Sequence, residues 1–211
     1  MFTPYINTVY SQDYAYLNNV RIPGMNDEIE FTHTLENLKT CNFTPADITH
    51  VLNTLAAILE LGNVTFGTGD GNASLPPHSK TSVALVETLL SLPPDSLAPT
   101  LLQKAIGTTR GKTTTVDAAV DAALLSRDTL AKTLYTKLFD WVVAKCNKTL
   151  ADATKHMMER ARQFAPHVPG AEVSEPLYVG VVDMPGFENA KENGFDQFIT
   201  NYASEKLQVR A

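Results

Sequence analysis

The stretch Leu177-Tyr178-Val179-Gly180-Val181-Val182-Asp183 is the only convincing β-strand in the sequence, a nearly continuous apolar run that closes on a carboxylate. A strand apolar on both faces belongs inside a covered, usually parallel, sheet. One strand cannot make that sheet, because each orphaned backbone donor or acceptor costs roughly 1 to 3 kcal/mol when buried. Either the strand pairs with something outside the chain, or the chain is a piece of a larger fold; the second is our reading. The expected class is therefore α/β, predominantly helical, with one buried core strand whose sheet partners are absent.

The rest of the chain reads as helix. Asp27 with Glu30 offers a cap, and Leu35 and Leu38 continue an apolar face to Thr40. Thr44 as N-cap, Pro45 at the first helical position, Asp47 at N3 and Gly62 past the end bound the clearest helix, with Ile48, Val51, Leu52, Leu55, Ile58 and Leu59 on its core face. Gly69, Gly71, Pro76 and Pro77 make 68–77 a surface loop. Shorter helices are expected over 83–90 and 97–104. The longest periodic segment, 116–150, carries Val120, Ala123, Leu124, Leu130, Leu134, Leu138, Trp141, Val142 and Cys146 on one side, with a Thr114–Asp117 capping box; it reaches about 50 Å if straight. Three prolines and Gly170 make 166–176 a linker between a helical segment, 1–165, and a terminal segment, 177–211. A last helix opens at Asn193 and points Phe195, Phe198, Ile199 and Tyr202 inward.

Composition removes several function classes. Hydrophobic residues are 44% and charged residues 19%, which excludes wholesale disorder and a disulfide-dense scaffold. A net charge of -6 argues against a nucleic-acid partner, which demands clustered Lys and Arg. No stretch approaches a membrane span, and the opening residues show no secretory leader or transit peptide, so a soluble chain is expected. Cys41 and Cys146 form no CxxC, and reduced thiols are the expectation. The sequons at Asn42, Asn63, Asn72 and Asn147 are read as chance. His33, His50, His78, His156 and His167 show no metal-ligand spacing, no nucleophile elbow is present, and Trp141 is read as a packing anchor.

Two motifs touch phosphate chemistry. Gly107-Thr-Thr-Arg-Gly-Lys-Thr113 resembles a P-loop but is one residue short, Ile106 standing where glycine is needed, and Leu101 to Lys104 read as helix rather than as the required strand. The stronger signal is YVGVVDMPGFE, 178–188. A strand ending in Asp183 places a carboxylate at a sheet's C-terminal edge, where nucleotide enzymes hold magnesium, and Gly186 completes D-x-x-G with an amide that approaches a terminal phosphate oxygen. A tight Pro185-Gly186 turn with Asp183 as its cap explains the same residues.

From Asp183 onward the chain resembles the switch II loop and relay helix of a myosin motor domain. Myosins carry D-I-x-G-F-E, N-S-F-E-Q and N-Y-x-N-E-K-L-Q; here these read DMPGFE (183–188), NGFDQ (193–197) and NYASEKLQ (201–208). RDTLAKTLYTKLFDWVV (127–143) is similar to a segment of the family's upper 50-kDa subdomain, LNTLAAILELGNVTF (52–66) to its ILAAILHLGNIxF segment, and YAYLNN (14–19) to its YxYLNQ lead-in.

The resemblance implies a P-loop NTPase-like fold and an actin-based motor driven by ATP and Mg2+, cytoplasmic and on the actin cytoskeleton, whose partners are the actin filament and the rest of the myosin head. By family role, Asp183 sits beside magnesium through water, the Gly186 amide senses the γ-phosphate, and Glu188 forms a salt bridge to a switch I arginine. Phe187, Asn193, Phe195, Asn201, Tyr202 and Glu205 belong to the relay. The family's P-loop and switch I motifs are not found in these residues, so this chain alone is expected to bind no nucleotide and to hydrolyse none. Met184-Pro185, Gly194, Asp196 and Ser204 depart from the family pattern. The alternatives are a non-catalytic pseudo-motor or helical interaction scaffold and, explaining less, a GTPase-like switch.

Overall fold

The computed structural model describes residues 14–17, 24–69, 71–109, 112–164, 180–181, 186–189 and 192–208. The chain divides into two compact units, Met1–Met157 and Met158–Ala211.

The first unit opens with α1 (Asp27–Thr40). Its cap is Asn26 rather than Asp27: the Asn26 Oδ1 accepts from the amides of Glu28 and Ile29, which leaves Asp27 to join the acidic first turn. α1 buries none of its residues. Asn42, in the left-handed region at φ 59°, turns the chain into α2 (Pro45–Asn63). The expected capping box is present: the Asp47 amide donates to Thr44 Oγ1, and the Asp47 carboxylate accepts from the Thr44 amide. Gly62 does not end α2 as expected, since the helix continues to Asn63; a different demand, described below, keeps that position free of a side chain.

The predicted loop at 68–77 is instead a small antiparallel hairpin, β1 (Gly67–Gly69) with β2 (Asn72–Ser74). Gly71, at φ 83°, supplies the left-handed corner such a turn needs, so here glycine permits strand pairing. α3 (Pro77–Leu89) and α4 (Leu97–Leu102) follow.

Beyond Leu102 helix was predicted and is not found. β3 (Gln103–Thr109) pairs antiparallel with β4 (Lys112–Asp117), with an irregularity between Ala105 and Gly107 that leaves the exposed Ile106 unpaired. The β-branched run Thr113-Thr114-Thr115-Val116 favours extended backbone and overrides the Thr114–Asp117 capping box. These hairpins overturn the expectation that 177–183 holds the chain's only strand. α5 is displaced accordingly, to Val120–Phe164, and its 45 residues run beyond Leu150 because nothing before Pro166 breaks it.

Ala57, Ile58 and Leu61 of α2, Val64, Val83 and Val86 of α3, Leu97 and Leu101 of α4, and Ala131 of α5 form one buried cluster. Ala57, Ile58 and Leu61 are buried on α2, whereas Leu55 and Leu59, expected on its core face, are half-buried. Backbone bonds from Ala73 to the Ala118 carbonyl, and from Ala118 to the Leu102 carbonyl, tie β2, β4 and α4 together.

A buried carboxylate shapes the α3–α4 turn. Glu87, 5% exposed, accepts from the amides of Asp95 and Leu97 at 3.0 and 2.8 Å. It thereby caps α4 from ten residues away.

In the second unit, 177–179 and 182–183 of the predicted strand lie outside the described residues. Gly180 and Val181 carry no strand, and Val181 is 94% exposed, so the expected buried strand is not found at these positions. Every described strand is already paired within its own hairpin. α6 (Phe195–Gln208) starts two residues later than expected and buries none of its residues: Phe195, Phe198, Ile199 and Tyr202, predicted to point inward, are exposed. Among the described residues no helix is long and apolar enough to cross a membrane.

Candidate functional site

The described segment 186–189 and the helix after it meet through the side chain of Asn201. The Glu188 amide donates to Asn201 Oδ1 at 2.6 Å, and Asn201 Nδ2 donates to the Glu188 carbonyl at 2.8 Å. A carboxamide is suited to this because it presents one acceptor and one donor side by side, in the same spacing as a backbone amide pair. Both main-chain polar groups of Glu188 are thereby held by α6, while the residue as a whole remains exposed.

Gly186 is exposed, and a methyl built on it would meet nothing within 4 Å. Packing among the described residues therefore does not demand glycine there. Asp183, Met184 and Pro185 lie outside the described residues.

α6 is started by its own side chain. The Gly194 amide donates to Gln197 Oε1 at 2.8 Å, and the Phe198 amide donates to the Gly194 carbonyl. Gly194 has no hydroxyl to cap the helix, so Gln197 takes one orphan donor from inside the first turn. Phe195 and Phe198 stack with ring centroids 6.4 Å apart, and the Lys206 ammonium lies 5.7 Å from the centre of the Tyr202 ring. Phe187, Glu188, Asn193, Phe198, Asn201 and Glu205 line an open groove of about 590 Å³.

In the first unit, three sequence-distant strings meet at one junction. The Ala15 amide donates to Asn63 Oδ1, the Tyr16 hydroxyl donates to Asp128 Oδ1, and Arg127 donates to the Val64 carbonyl at 2.7 Å and pairs with Asp128. The Arg127 guanidinium also lies 5.7 Å from the Tyr16 ring centre. Burial first, then the bond to Asp128, pushes the Tyr16 hydroxyl up to about 12. Burial works against ionisation of Asp128, but its bonds to Tyr16 and Arg127 prevail and hold it below the ordinary carboxylate range.

A family description, the myosin head (motor domain), matches residues 5–210. The chain belongs to the myosin head family. It is 33% identical over 205 residues to "Myosin-1" of Meyerozyma guilliermondii, covering 93% of this chain and 15% of that protein. It is 35% identical to "Protein OPAQUE1" of Zea mays, covering 92% of this chain and 12% of that protein, and 30% identical to "Unconventional myosin-Ia" of Gallus gallus, covering 92% and 17%. The chain thus spans only a small part of the length of the curated relatives it matches.

Within this myosin head segment, Phe187, Glu188, Asn193, Asn201, Tyr202 and Glu205 lie about one groove, and Gly186 and Phe195 are not among the residues that line it. The P-loop look-alike does not form a phosphate loop. Arg110 and Gly111 lie outside the described residues; Gly107, Thr108, Thr109, Lys112 and Thr113 belong to the β3–β4 ladder, where extended pairing replaces the curved array of amides an anion needs. Sequence reading missed Gln197 as the cap of α6 and Glu87 as the cap of α4. A carboxylate on the apolar face Val83, Val86, Glu87, Leu90 was the signal for the latter. Trp141, read as a packing anchor, meets Phe43 edge-on with centroids 5.6 Å apart but remains exposed. Among the described residues no three His, Cys, Asp or Glu side chains converge as a metal site.

Proposed function

We propose that these residues are the part of an actin-based motor that detects the γ-phosphate of ATP and hands the result to a relay helix. The observation carrying this is the two-bond hold of Asn201 on the Glu188 backbone, because a turn held at both donor and acceptor cannot shift without taking α6 with it. The open approach to Gly186 suits close contact between its amide and a phosphate oxygen. In this reading Asp183 holds Mg2+ through water, and the Glu188 carboxylate, exposed on a turn whose backbone is already bonded, pairs with an arginine supplied by the rest of the head. Bound MgATP supplies the phosphoryl group, with the metal neutralising phosphate charge. Phe187 and Asn193 flank the turn, and Phe195, Asn201, Tyr202 and Glu205 carry its displacement along α6. The proposed setting is the cytoplasmic actin cytoskeleton, with the actin filament and the rest of the head as partners.

A second reading, a non-catalytic helical scaffold, draws support from Pro185, which removes a backbone donor and stiffens the turn next to Gly186. One experiment separates the two. In a complete motor head carrying these residues, Gly186→Ala lowers ATP turnover on the order of 100-fold, the scale of losing one preorganised donor, while nucleotide binding persists. Asn201→Ala leaves binding intact and breaks the coupling between hydrolysis and filament sliding. Normal turnover in Gly186→Ala removes the phosphate-sensing role, and absence of turnover in the unsubstituted head favours the scaffold. The 211 residues alone should hydrolyse no ATP, and micromolar nucleotide binding by them contradicts the proposal.

A further inference from the structure

The two cysteines, 105 positions apart in sequence, neighbour each other where the end of α1 meets the middle of α5. Cys41 terminates α1, where its carbonyl accepts from Thr149 Oγ1 at 2.8 Å. Thr149 is less than one helical turn beyond Cys146, on the same side of α5. On the other flank of Cys146, Lys145 reaches the same turn, its ammonium 2.6 Å from Asp47 Oδ2 and 5.1 Å from the centre of the Phe43 ring. Contacts on both flanks of Cys146 thus fix the α1–α2 turn against α5, and both thiols are partly exposed and unbridged.

We infer that Cys41 and Cys146 are a redox pair that closes to a disulfide and staples the α1–α2 turn to the middle of α5. Burial, and then the neighbouring Cys41 thiol, raise the Cys146 thiol above its ordinary range. With a low-molecular-weight disulfide such as oxidised glutathione as the oxidant, the steps balance. The Cys41 thiolate attacks one glutathione sulfur, the glutathione S–S bond breaks, and one glutathione thiolate leaves. Cys146 then loses its proton and attacks the Cys41 sulfur of the mixed disulfide, expelling the second glutathione. The protein loses two hydrogen atoms and two electrons, and one glutathione disulfide becomes two thiols.

In the unfolded chain the two thiols are separated by a long flexible loop, and their effective concentration is on the order of millimolar or below. Folded contact raises it. The test equilibrates the 211-residue chain in glutathione redox buffers, with and without urea, quenches with acid, and follows intact mass and tryptic peptides. Expected is a monomer lighter by two hydrogens, a linked pair of peptides Thr40–Lys80 and Cys146–Lys148, and an intramolecular equilibrium constant about 100-fold larger without urea than with it. Cys41→Ser and Cys146→Ser each abolish the linked pair. Equal constants in the two conditions, separate glutathione adducts on both cysteines, or intermolecular dimers overturn the inference.

Discussion

Replacing Gly62 by alanine tests the junction of Tyr16, Asn63, Arg127 and Asp128 with a change of sign. A Cβ at position 62 would stand 2.7 Å from Tyr16 Cδ2 and 2.8 Å from Cγ. Carbon atoms in contact normally sit about 3.5 to 4.0 Å apart, so the overlap is about 1 Å, and it falls on the stiff ring of a residue also held by its hydroxyl. The ring must leave. Its departure gives up the bond to the Asp128 carboxylate, about 1 to 2 kcal/mol for a part-exposed charged acceptor, and the stacking of Arg127, about 0.5 to 1 kcal/mol. Against this, alanine in a helix gains about 0.5 to 1 kcal/mol over glycine. The expected net is a loss of about 1 to 2 kcal/mol, where helix propensity alone predicts a gain. Urea unfolding of the parent, Gly62→Ala, Tyr16→Ala and the double variant checks it: with Tyr16 removed, the alanine should become stabilising by its propensity. The titration gives a second readout. The raised Tyr16 hydroxyl contributes stability fully present below about pH 10 and lost as pH rises towards about 12. In Gly62→Ala the tyrosinate absorbance step near pH 12 returns towards about 10. Stabilisation by Gly62→Ala in the presence of Tyr16 refutes the reasoning.

Glu87→Ala orphans the buried Leu97 amide, at roughly 1 to 3 kcal/mol, and gives up the part-buried bond from Asp95, whose residue is exposed, so urea unfolding should show a loss of about 1 to 3 kcal/mol. Glu87→Gln, which keeps one acceptor, should lose less than half as much; equal losses would assign the effect to volume. The Lys145 ammonium first, and then bonds from Thr44, hold the Asp47 carboxyl down at about 2. A depressed carboxyl contributes stability above its ordinary value near 4 that is lost as pH falls from about 4 to 2. Asp47→Asn should therefore melt at a modestly lower temperature than the parent at pH 6 and with it at pH 2, and a difference that persists at pH 2 would show that the ion pair is not responsible.

Features decided by near neighbours in sequence were legible. The Thr44–Asp47 box and the α5 stripe through Ala123, Leu130, Leu134 and Leu138 needed only spacings of three and four. Features decided by competition between local preferences were misread. Glycine at 69 and 71 reads as a strand breaker, whereas Gly71 makes the turn that pairs the strands, and Thr114 reads as a cap, whereas it belongs to a β-branched ladder. The outward-facing Phe195, Phe198, Ile199 and Tyr202 were given a core because periodicity reports that a face is apolar, not which chain covers it.

Gly62 shows how a string of letters can stand for a contact. Read alone, the glycine in LELGN after an apolar helix signals a helix end, and YAY and RDTLAK signal nothing about one another. In the fold, the glycine makes room for the Tyr16 ring, Asn63 holds the strand of chain bearing that ring, Arg127 covers it, and Asp128 takes its hydroxyl. Three of the strings by which this chain resembles a myosin head, 14–19, 52–66 and 127–143, touch at this junction. Tyr16 without a glycine at 62 has no seat, and Asp128 without Tyr16 loses a donor, so each residue restricts the others although 46 to 112 positions separate them. A double-mutant cycle on Tyr16 and Asp128 should accordingly return a coupling of about 1 kcal/mol, whereas Tyr16 and Lys145 should return none.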